Sequence, residues 1–468
     1  MPAPMILDEE QEAAVQRMLS EPTRAVLNAS EMGRGKTVMS VELAKRLGAS
    51  TVLVICPLAT RVGWERTFNQ QQTGLPVQRI DSTVKGKAAY EELAQKEPGV
   101  YLVGREYFRR LEWQKIKPDV AVYDEIHSVQ NRNGVGFKVL KTLKAGYKVG
   151  LSGTPGGNKF QGLWSVCRWL WPGDVERSFW RWVTEYARTQ TEYFASGEVV
   201  KVVGERKKGA FVKTLPCYVR LEANLSTEYI EEVRYVELTP AQRKIYTEME
   251  DEMIMWLGDN PSVASVPIVQ RIRLRQITLG VPSSQWVTVR KRNKQTGEMY
   301  EVEEQEIFFD EGCKSSKIDA LKEIVNELDE GTPILVLCDS QKFVQEVTRR
   351  LGDKAVEWSG KVTHKQREEL AAGFISGKYQ YIVAVIPAVA EGLDGLQHVA
   401  NHVVWLSRSE NDLFNRQAAA RLHRTGQQKH VYSYDIQAAD TYDSGTFQRL
   451  ELQHAEMRAT LSVNKKED

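Results

Sequence analysis

The stretch that most constrains this chain lies near its N-terminus, where residues 30–37 read SEMGRGKT. It follows the apolar run 24–29 and opens a stretch with helical spacing that Gly48 ends, which is the strand–loop–helix context of a phosphate-binding loop. The glycines allow backbone N–H groups to approach phosphate oxygens, and the start of the new helix adds partial positive charge. The pattern predicts a nucleotide site, although Ser30 stands where a strict GxxxxGK[ST] motif has glycine.

The loop positions have distinct predicted tasks. The Lys36 side chain is expected to reach the β- and γ-phosphates, and the Thr37 hydroxyl is expected to bind Mg²⁺. The other nucleotide contacts predicted in this loop are Met32, Gly33, Arg34 and Gly35. A glycine-rich turn with a chance lysine is the alternative interpretation of these eight residues taken alone.

A second pattern favours the nucleotide site. Residues 118–123 are typical of a buried parallel strand, and they lead directly into Asp124 and Glu125. A carboxylate at the end of such a strand can reach the metal of MgATP, and its neighbour can orient and deprotonate the attacking water. We therefore expect Asp124 to bind the metal and Glu125 to act as the general base. An isolated Asp-Glu pair is more often a solvated turn.

With these two motifs the chain resembles the superfamily 2 nucleic-acid motor ATPases, and within them the Swi/Snf-like double-stranded DNA translocases. The resemblance covers nearly the whole length, with the motifs in the family's order. Residues 30–37 are similar to DEMGLGKT, 124–127 to the DEAH box with Ile for Ala, and 151–155 to LTGTP with Ser for Thr. Residues 417–427 are similar to QAxxRxHRxGQ, which is the most specific match.

The resemblance implies roles for residues outside the phosphate-binding loop. Gln11 lies where the family has its adenine-reading glutamine, and Thr154 and Gln417 lie in motifs that couple the nucleotide to the nucleic acid. Arg421 and Arg424 match two arginines that face the nucleotide, and such arginines can be worth about 10³–10⁵ in rate. On an ordinary helix, two arginines spaced by three more often form a solvated face. The implied cofactors are ATP and Mg²⁺.

The resemblance also implies contacts to DNA. Residues 51–58, followed by Trp64, are similar to a strand with a DNA-contacting motif. The residues matched to DNA contacts are Pro57, Arg61, Gly104, Arg105, Ser340, Gln341 and Gly392. Contacts of this kind are made to phosphates, so binding should depend on salt and be nearly independent of base sequence.

Two departures from the family affect the DNA side. Residues 410–412 read Glu-Asn-Asp where members often carry Trp-Asn-Pro, so a DNA-contacting aromatic is missing unless Trp405 replaces it. Residues 391–397 fall where the family has its glycine-rich motif V, and they begin with Glu391-Gly392 in place of paired glycines. Both changes concern DNA gripping and coupling more than ATP binding.

Composition is that of an ordinary globular protein. The 468 residues suffice for two or three domains, and a net charge of +1 means that any basic DNA-binding surface must be local. Basic residues cluster within 105–117, 206–213 and 271–294, and each cluster taken singly is more often solvated than bound to DNA. The five cysteines form no CxxC pair, which predicts neither a zinc module nor a disulfide framework and fits a reducing compartment. Without an apolar run of 18 residues or a signal-like start, the chain is expected to be cytoplasmic, in a bacterium or phage-infected cell, with no membrane contact.

Apolar runs alternate with helical patterns in both halves of the chain. This predicts an α/β fold with a doubly wound parallel sheet in each half. The resemblance implies that the two sheets are RecA-like lobes, with a mostly helical insertion between the family's motifs III and IV. The boundaries expected are 1–158, 159–313 and 314–468. Predicted strands are 24–29, 51–56, 100–103, 119–123 and 147–151 in the first lobe, and 333–338, 381–385, 402–406 and 430–435 in the second.

The insertion has a different composition. Five tryptophans within 159–190 have helical spacing and are expected to pack against the first lobe; a base-stacking platform is the weaker alternative. Hairpins are predicted at 196–212, with its turn at 207–209, and at 285–304, with its turn at 294–297. Helices are predicted at 242–257 and 268–279.

Three functions compete at this stage. The first is an ATP-dependent translocase, expected as a monomer on double-stranded or forked DNA, that remodels forks or branches or displaces proteins alongside replication or recombination proteins. The second is a strand-separating helicase or the motor of a restriction system, although no separation pin or nuclease pattern is recognisable. The third is a non-catalytic DNA clamp. The residues that argue against the clamp are Lys36, Asp124, Glu125, Arg421 and Arg424.

Substitutions at three positions test the assigned roles. Lys36→Ala should weaken ATP binding or turnover, Glu125→Gln should bind ATP but stall, and Arg424→Ala should lose most turnover, because each removes a different part of the chemistry. Phosphate release and nucleotide binding, measured side by side, separate these outcomes. A Glu125→Gln variant with normal phosphate release would contradict its role as the base.

Overall fold

The computed structural model describes residues 4–461, apart from 158, 195–196, 224, 258–259, 265–266, 294–296, 391–392 and 394. The chain separates into two compact units. The first unit comprises Met1–Asn224 and Leu452–Asp468, and the second comprises Leu225–Glu451. The segment predicted as an insertion, 159–313, is divided between them, so part of it folds with each unit. The three functional boundaries given above stay a prediction.

The first unit is built on a parallel sheet. Its strands are β1 (Ala25–Asn28), β2 (Thr51–Cys56), β3 (Val77–Ile80), β4 (Gly99–Gly104), β5 (Val120–Asp124), β6 (Tyr147–Leu151), β7 (Ala187–Phe194), β8 (Gly197–Glu205) and β9 (Tyr218–Val219). Seven of them form one sheet in the order β3-β4-β2-β5-β6-β1-β9, with parallel pairing throughout. β7 and β8 form a separate antiparallel hairpin.

Helices cover this sheet. They are α1 (Glu9–Leu19), α2 (Lys36–Arg46), α3 (Arg61–Gln70), α4 (Val84–Ala94), α5 (Arg105–Phe108), α6 (Val135–Leu140), α7 (Gly162–Leu170), α8 (Phe179–Tyr186) and α9 (Ala210–Lys213). Every residue of β2 is buried, as expected for a central parallel strand with both faces covered. The continuous apolar runs of the sequence are the result of that coverage.

The second unit repeats the arrangement. Its elements are β10 (Tyr229–Val236), α10 (Pro240–Glu252), β11 (Ile254–Leu257), β12 (Asn260–Val263), α11 (Pro267–Leu279), β13 (Ser283–Arg292), β14 (Met299–Phe308), α12 (Ser316–Glu327), β15 (Ile334–Cys338), α13 (Gln341–Leu351), β16 (Ala355–Trp358), α14 (His364–Ile375), β17 (Tyr381–Val385), α15 (Ile386–Ala390), β18 (His402–Trp405), α16 (Asp412–Ala419) and β19 (Val431–Ala438). A final helix, α17 (Tyr442–Leu461), begins in this unit. The parallel sheet has the order β10-β19-β18-β15-β17-β16.

These sheets confirm the predicted α/β class with two doubly wound lobes. Each strand predicted from an apolar run is present within one to three residues at its ends. The strands missed are short or partly exposed edge elements, such as β3, whose sequence Val-Gln-Arg-Ile carries too little apolar character to stand out. β10 was missed for a similar reason, since most of its side chains are at least partly exposed.

Two predictions within the insertion are wrong in position. Residues 207–209 do not turn a hairpin, because β8 ends at Glu205 and Gly209, with φ +73°, precedes α9 instead. The Glu205 carboxylate accepts hydrogen bonds from the backbone N–H groups of Gly209 (2.7 Å) and Phe211 (2.9 Å), which fixes that helix start. The helix predicted at 242–257 ends at Glu252, because Met253 adopts φ +57° and the chain continues as β11.

The other two predictions in this region are confirmed. β13 and β14 pair in register from Ser283–Phe308 to Arg292–Met299, which is the hairpin predicted at 285–304. Three of its four predicted turn residues, 294–296, lie outside the described residues. α11 matches the helix predicted at 268–279. The insertion therefore contributes hairpins as well as helices.

The tryptophans of the insertion belong to the core of the first unit. Trp164, Trp169, Trp171 and Trp182 are at most 9% exposed and lie in the same apolar cluster as the strands of the sheet. Trp180 differs, with 49% of its surface exposed. The packing interpretation is thus confirmed for four of the five. No helix among the described residues is long and apolar enough to cross a membrane.

This packing predicts unequal roles for two neighbouring tryptophans of α8. Trp182 is fully buried, stacks on Phe160 with ring centroids 4.9 Å apart and meets the edge of Phe211 at 5.1 Å. Trp182→Ala should cost about 3–5 kcal/mol and lower the melting temperature by on the order of 10 °C, whereas Trp180→Ala should cost less than about 1 kcal/mol. Scanning calorimetry of both variants makes the comparison, and equal shifts would contradict it.

Candidate nucleotide-binding site

The phosphate-binding loop joins β1 to α2 at the carboxyl edge of the first sheet. Gly33 and Gly35 adopt φ values of +78° and +70°, which only glycine accepts without strain. The Lys36 ammonium donates to the carbonyl oxygens of Ser30 (2.7 Å) and Glu31 (2.9 Å). The lysine therefore closes the loop on itself.

Two carboxylates face the same region. Asp124 ends β5, and the indole N–H of Trp64 donates to its Oδ2 at 3.0 Å. Glu125 follows with φ +52° and ψ 54°, a left-handed conformation that is unfavourable for a non-glycine residue and concentrates at functional sites. Burial lowers the pKa of Lys36, while the charges of Glu125 and Asp124 act in the opposite direction. The lysine and both carboxylates thus interact electrostatically.

The carboxylates have opposite protonation tendencies. Burial, together with the charge of Glu125, raises the pKa of Asp124. Burial also opposes ionisation of Glu125, but the hydrogen bond and charge of His127 outweigh it and lower the pKa of Glu125. Glu125 is therefore ionised at neutral pH, as a proton acceptor must be. A divalent cation would favour the ionised form of Asp124 in the same way.

A hydroxyl links the predicted base, Glu125, to residues 151–155, the segment similar to LTGTP. The Ser152 Oγ lies 3.0 Å from His127 Nδ1 and donates to Glu125 Oε2 at 3.4 Å, and it accepts from the backbone N–H of Thr154 at 3.1 Å. His127 Nδ1 is also 3.1 Å from Glu125 Oε2. The Thr154 hydroxyl is buried without a hydrogen-bond partner among the described residues, which fits a contact to a bound group.

The residues present fit a magnesium nucleotide. The loop offers backbone N–H groups at a helix start and a half-buried lysine, and the segments after β5 and β6 add a metal-binding type of carboxylate and an orphaned hydroxyl. These are the groups that phosphates and Mg²⁺ prefer. The predicted ligands Lys36, Thr37 and Asp124 all belong to the first unit.

The predicted adenine-reading residue is tied to the loop. Gln11 accepts a hydrogen bond from the Asp8 N–H (3.0 Å) in the capping box of α1, and its amide donates to the Arg34 carbonyl at 3.4 Å. Arg34, which stands at a leucine position of the family motif, forms ion pairs with Asp8 (3.3 Å) and Glu10. Sequence reasoning missed this connection between α1 and the loop.

The predicted arginine fingers lie in the second unit. Gln417 is on α16, but that helix ends at Ala419, so Arg421 and Arg424 stand in the turns that follow rather than on a helical face. The Gln427 amide donates to the carbonyls of Ala400 (2.9 Å) and Leu422 (3.2 Å), which holds these turns in place. Both arginines are half-buried.

The predicted DNA contacts of the first unit come together. Cys56 at the end of β2 pairs with Gly104 at the end of β4, so Pro57 and Arg105 follow neighbouring strands at the same sheet edge. A Cβ at Gly104 would lie 2.4 Å from Leu58 Cδ2, so the exposed Leu58 side chain packs over this glycine. Arg61 begins α3 just after this edge.

The remaining predicted DNA contacts are in the second unit. Ser340 caps α13 by accepting from the Phe343 N–H at 3.4 Å, and Gln341 begins that helix. Gly392 and Glu391 of motif V lie outside the described residues. Contact of any of these residues with DNA stays a prediction.

The structure decides the two open questions about aromatic residues. Trp405 is fully buried, donates to the Ser433 hydroxyl at 3.1 Å and lies under the Arg408 guanidinium, so it does not replace the missing aromatic. Glu410, at the tryptophan position of the family, instead pairs with Arg449 and lies 3.8 Å from Arg275. Trp64, which was grouped with a DNA-contacting motif, orients the Asp124 carboxylate.

Two family models match this chain. The model of the SNF2-related domain matches residues 10–279, and the model of the helicase conserved C-terminal domain matches residues 316–426. The chain belongs to the SNF2-related family. The SNF2-related model includes the phosphate-binding loop and Asp124-Glu125, and the second model includes Arg421 and Arg424.

Relatives of this SNF2-related chain are longer proteins. It is 23% identical to an uncharacterized ATP-dependent helicase of Mycoplasma pneumoniae over 91% of this chain and 39% of that protein. It is 24% identical to ATP-dependent helicase fft3 of Schizosaccharomyces pombe over 96% of this chain and 56% of the relative. It is 24% identical to human chromodomain-helicase-DNA-binding protein 6 over 94% of this chain and 17% of that protein. The chain thus spans less than two thirds of each.

A solved structure also matches. The Sulfolobus solfataricus SWI2/SNF2 ATPase core in complex with double-stranded DNA aligns over 99% of both chains, with 19% sequence identity and a TM-score of 0.42. That score is too low to support a fold assignment by itself. The class of the fold rests on the parallel sheets described above.

The loop geometry predicts different outcomes for two glycines at opposite ends of α2. Gly35 and Gly48 both have positive φ, but a Cβ at Gly35 would lie 2.5 Å from Gln11 Nε2, whereas a Cβ at Gly48 meets no atom within 4 Å. Each substitution to Ala should cost about 1–2 kcal/mol of stability. Only Gly35→Ala should also weaken ATP binding, by about tenfold, because the added methyl group displaces the side-chain amide of Gln11, the predicted adenine-reading group. Nucleotide titration of both variants gives the comparison, and equal affinities would contradict it.

Proposed function

We propose that this chain is an ATP-dependent motor that moves along double-stranded DNA. The observation that carries the proposal is the half-buried Lys36, held by the loop carbonyls, whose charge interacts with Asp124 and with the left-handed Glu125. That constellation suits hydrolysis of a magnesium nucleotide, and a chain that kept the fold without the chemistry would have no need of a strained acidic residue there.

Each residue has a defined part in the proposed hydrolysis. Lys36 would bind the terminal phosphates, while Thr37 and Asp124 would hold Mg²⁺, which would neutralise phosphate charge. Glu125 accepts a proton from the attacking water, and His127 with Ser152 keeps its carboxylate oriented and ionised. Arg421 and Arg424 supply positive charge to the transferring phosphoryl group. Gln11 recognises the base beside the loop.

The same edge of the first sheet supports coupling to DNA. Arg105 follows β4, and its positive charge reaches both Asp124 and Glu125, where it favours their ionised forms. A DNA phosphate that drew Arg105 away would therefore make the ionised forms of both carboxylates less favourable. Thr154 offers a second connection, because its backbone N–H donates to the Ser152 hydroxyl, which in turn donates to Glu125. DNA binding can in this way alter the rate of hydrolysis.

The proposal has finer parts as well. The DNA bound is double-stranded or forked, the outcome is remodelling of forks or branches or displacement of proteins, and the chain acts in the cytoplasm as a monomer, with replication or recombination proteins as candidate partners. The relatives include proteins named ATP-dependent helicases and chromodomain-helicase-DNA-binding proteins, which supports DNA as the polymer. A strand-separating helicase is the second candidate, since those names suggest it.

The decisive experiment compares activators of ATP hydrolysis. Phosphate release is measured without nucleic acid and with duplex DNA, single-stranded DNA, forked DNA and RNA, with Glu125→Gln as the inactive control. Duplex or forked DNA should stimulate most. Displacement of a third strand from a triplex, without separation of a plain duplex, would favour translocation, and separation of the duplex would favour a helicase. Absence of hydrolysis with every activator would overturn the proposal.

A matched pair of arginines sharpens the test. Arg105→Ala should raise the DNA concentration needed for half-maximal stimulation by several-fold and reduce its dependence on salt, because one phosphate contact is lost. Arg79→Ala is the control, since Arg79 is an exposed arginine of the same unit that pairs with Glu65 at 2.7 Å. Identical behaviour of the two variants would remove Arg105 from the DNA surface.

A further inference from the structure

A strand from outside every recognised motif lies beside the phosphate-binding loop. β9 pairs in parallel with β1, with Tyr218 opposite Leu27 and Val219 opposite Asn28. The contact continues into the loop, because the Ala29 N–H donates to the Val219 carbonyl (2.7 Å) and the Glu31 N–H donates to the Leu221 carbonyl (2.9 Å). Residues 218–223, here named the loop strap, thus extend the sheet along the first residues of the loop.

Side chains reinforce the loop strap. The Ser30 hydroxyl, fully buried, accepts from the Leu221 N–H at 3.0 Å. The Glu31 carboxylate accepts from the Ala223 N–H at 2.9 Å and forms an ion pair with Arg220 at 3.1 Å. The other guanidinium arm of Arg220 donates to the Ala29 carbonyl, also at 3.1 Å. Residues 29, 30 and 31 are each bound by the strap.

Arg220 is the central group of this contact. It is 10% exposed, and its two arms join a backbone carbonyl at the start of the loop to a carboxylate two residues later. A planar fork suits this double contact, whereas a lysine ammonium on a flexible stem does not reproduce it. The positive charge of Arg220 also acts on Lys36, the lysine expected to bind the phosphates, so the two side chains are near each other.

The strap therefore controls the atoms that hold Lys36. The lysine ammonium donates to the carbonyls of Ser30 and Glu31, the two residues bound most extensively by the strap. To bind phosphate, the Lys36 ammonium must give up at least part of its hydrogen bonding to these carbonyls and contact the nucleotide instead. If these two carbonyl groups moved freely, ATP binding would have to order the loop, and the free energy of binding would be less favourable by that amount.

We propose that Arg220 is a positioning residue for ATP binding, which acts through Glu31 to hold the phosphate-binding loop in its competent shape. The inference rests on the proposed function of this site as an ATP site. It assigns a role in nucleotide affinity to a segment that the sequence motifs leave out. Arg220 does not touch the reacting atoms in this structure, so its effect falls on binding rather than on the chemical step.

The test separates affinity from chemistry. The dissociation constant of ATP is measured by displacement of a fluorescent ATP analogue, and the rate at saturating ATP is measured in a single turnover, both on the full chain. Arg220→Ala should weaken ATP binding by about tenfold, with a single-turnover rate within about twofold of the unchanged protein. Arg220→Lys should recover only part of the affinity, because it cannot make both contacts.

Glu31 provides a partner test. Glu31→Gln should weaken binding in the same direction, and the double variant Arg220→Ala/Glu31→Gln should be no weaker than the worse single variant, because residues that act as one unit are not additive. Arg188→Ala is the matched control, since Arg188 is another arginine of the first unit in an ion pair, with Glu456 at 2.6 Å. It should leave ATP affinity unchanged.

The outcomes are distinguishable. If the unchanged protein binds no ATP, the proposed function fails. If it binds ATP and Arg220→Ala binds equally well, or if the loss falls on the single-turnover rate alone, the positioning role fails and the proposed function stands. Should Arg220→Ala not fold, Arg220→Lys and Glu31→Gln decide on the same criteria. Fully additive losses in the double variant would also overturn the action of Arg220 through Glu31.

Discussion

The placement of one half-buried ammonium group beside two carboxylates is the constraint on which the first unit depends. Burial disfavours the charged form of Lys36, and the neighbouring charges of Glu125 and Asp124 favour it. Such a balance holds only if each group is fixed, because an unpaired buried charge is costly. The backbone carbonyls of the loop, the indole of Trp64 and the hydroxyl of Ser152 supply that fixation.

Parallel pairing explains why these groups meet. Strands β2, β4, β5, β6 and β1 all run in one direction, so their carboxyl ends reach the same edge of the sheet. Loops that are far apart in sequence thereby deliver a lysine, a carboxylate pair, a hydroxyl and the arginine Arg105 to one place. This edge is where open α/β sheets bind their ligands. The chemistry of the site is thus a consequence of strand direction.

The departures from the family motifs are compensated by specific contacts. Arg34, in place of leucine, pairs with Asp8 and Glu10 and so ties the loop to α1. Ser30, in place of aspartate, accepts from the backbone of the loop strap. Glu410, in place of tryptophan, pairs with Arg449 instead of presenting an aromatic surface. In each case a polar contact within the same unit takes the place of the family residue.

The sequence by itself determined the fold class, the central strands and the identity of Lys36, Asp124 and Glu125 as candidate site residues, because buried parallel strands and glycine loops leave strong local patterns. It misplaced the turn at 207–209 and the end of α10, where single left-handed residues decide the path. Only the tertiary structure revealed the contacts of Trp64 with Asp124 and of Arg220 with Glu31, and the burial of Trp405. These features depend on contacts between segments that are far apart in the sequence. A local sequence pattern does not indicate which distant residues will lie beside it in the fold.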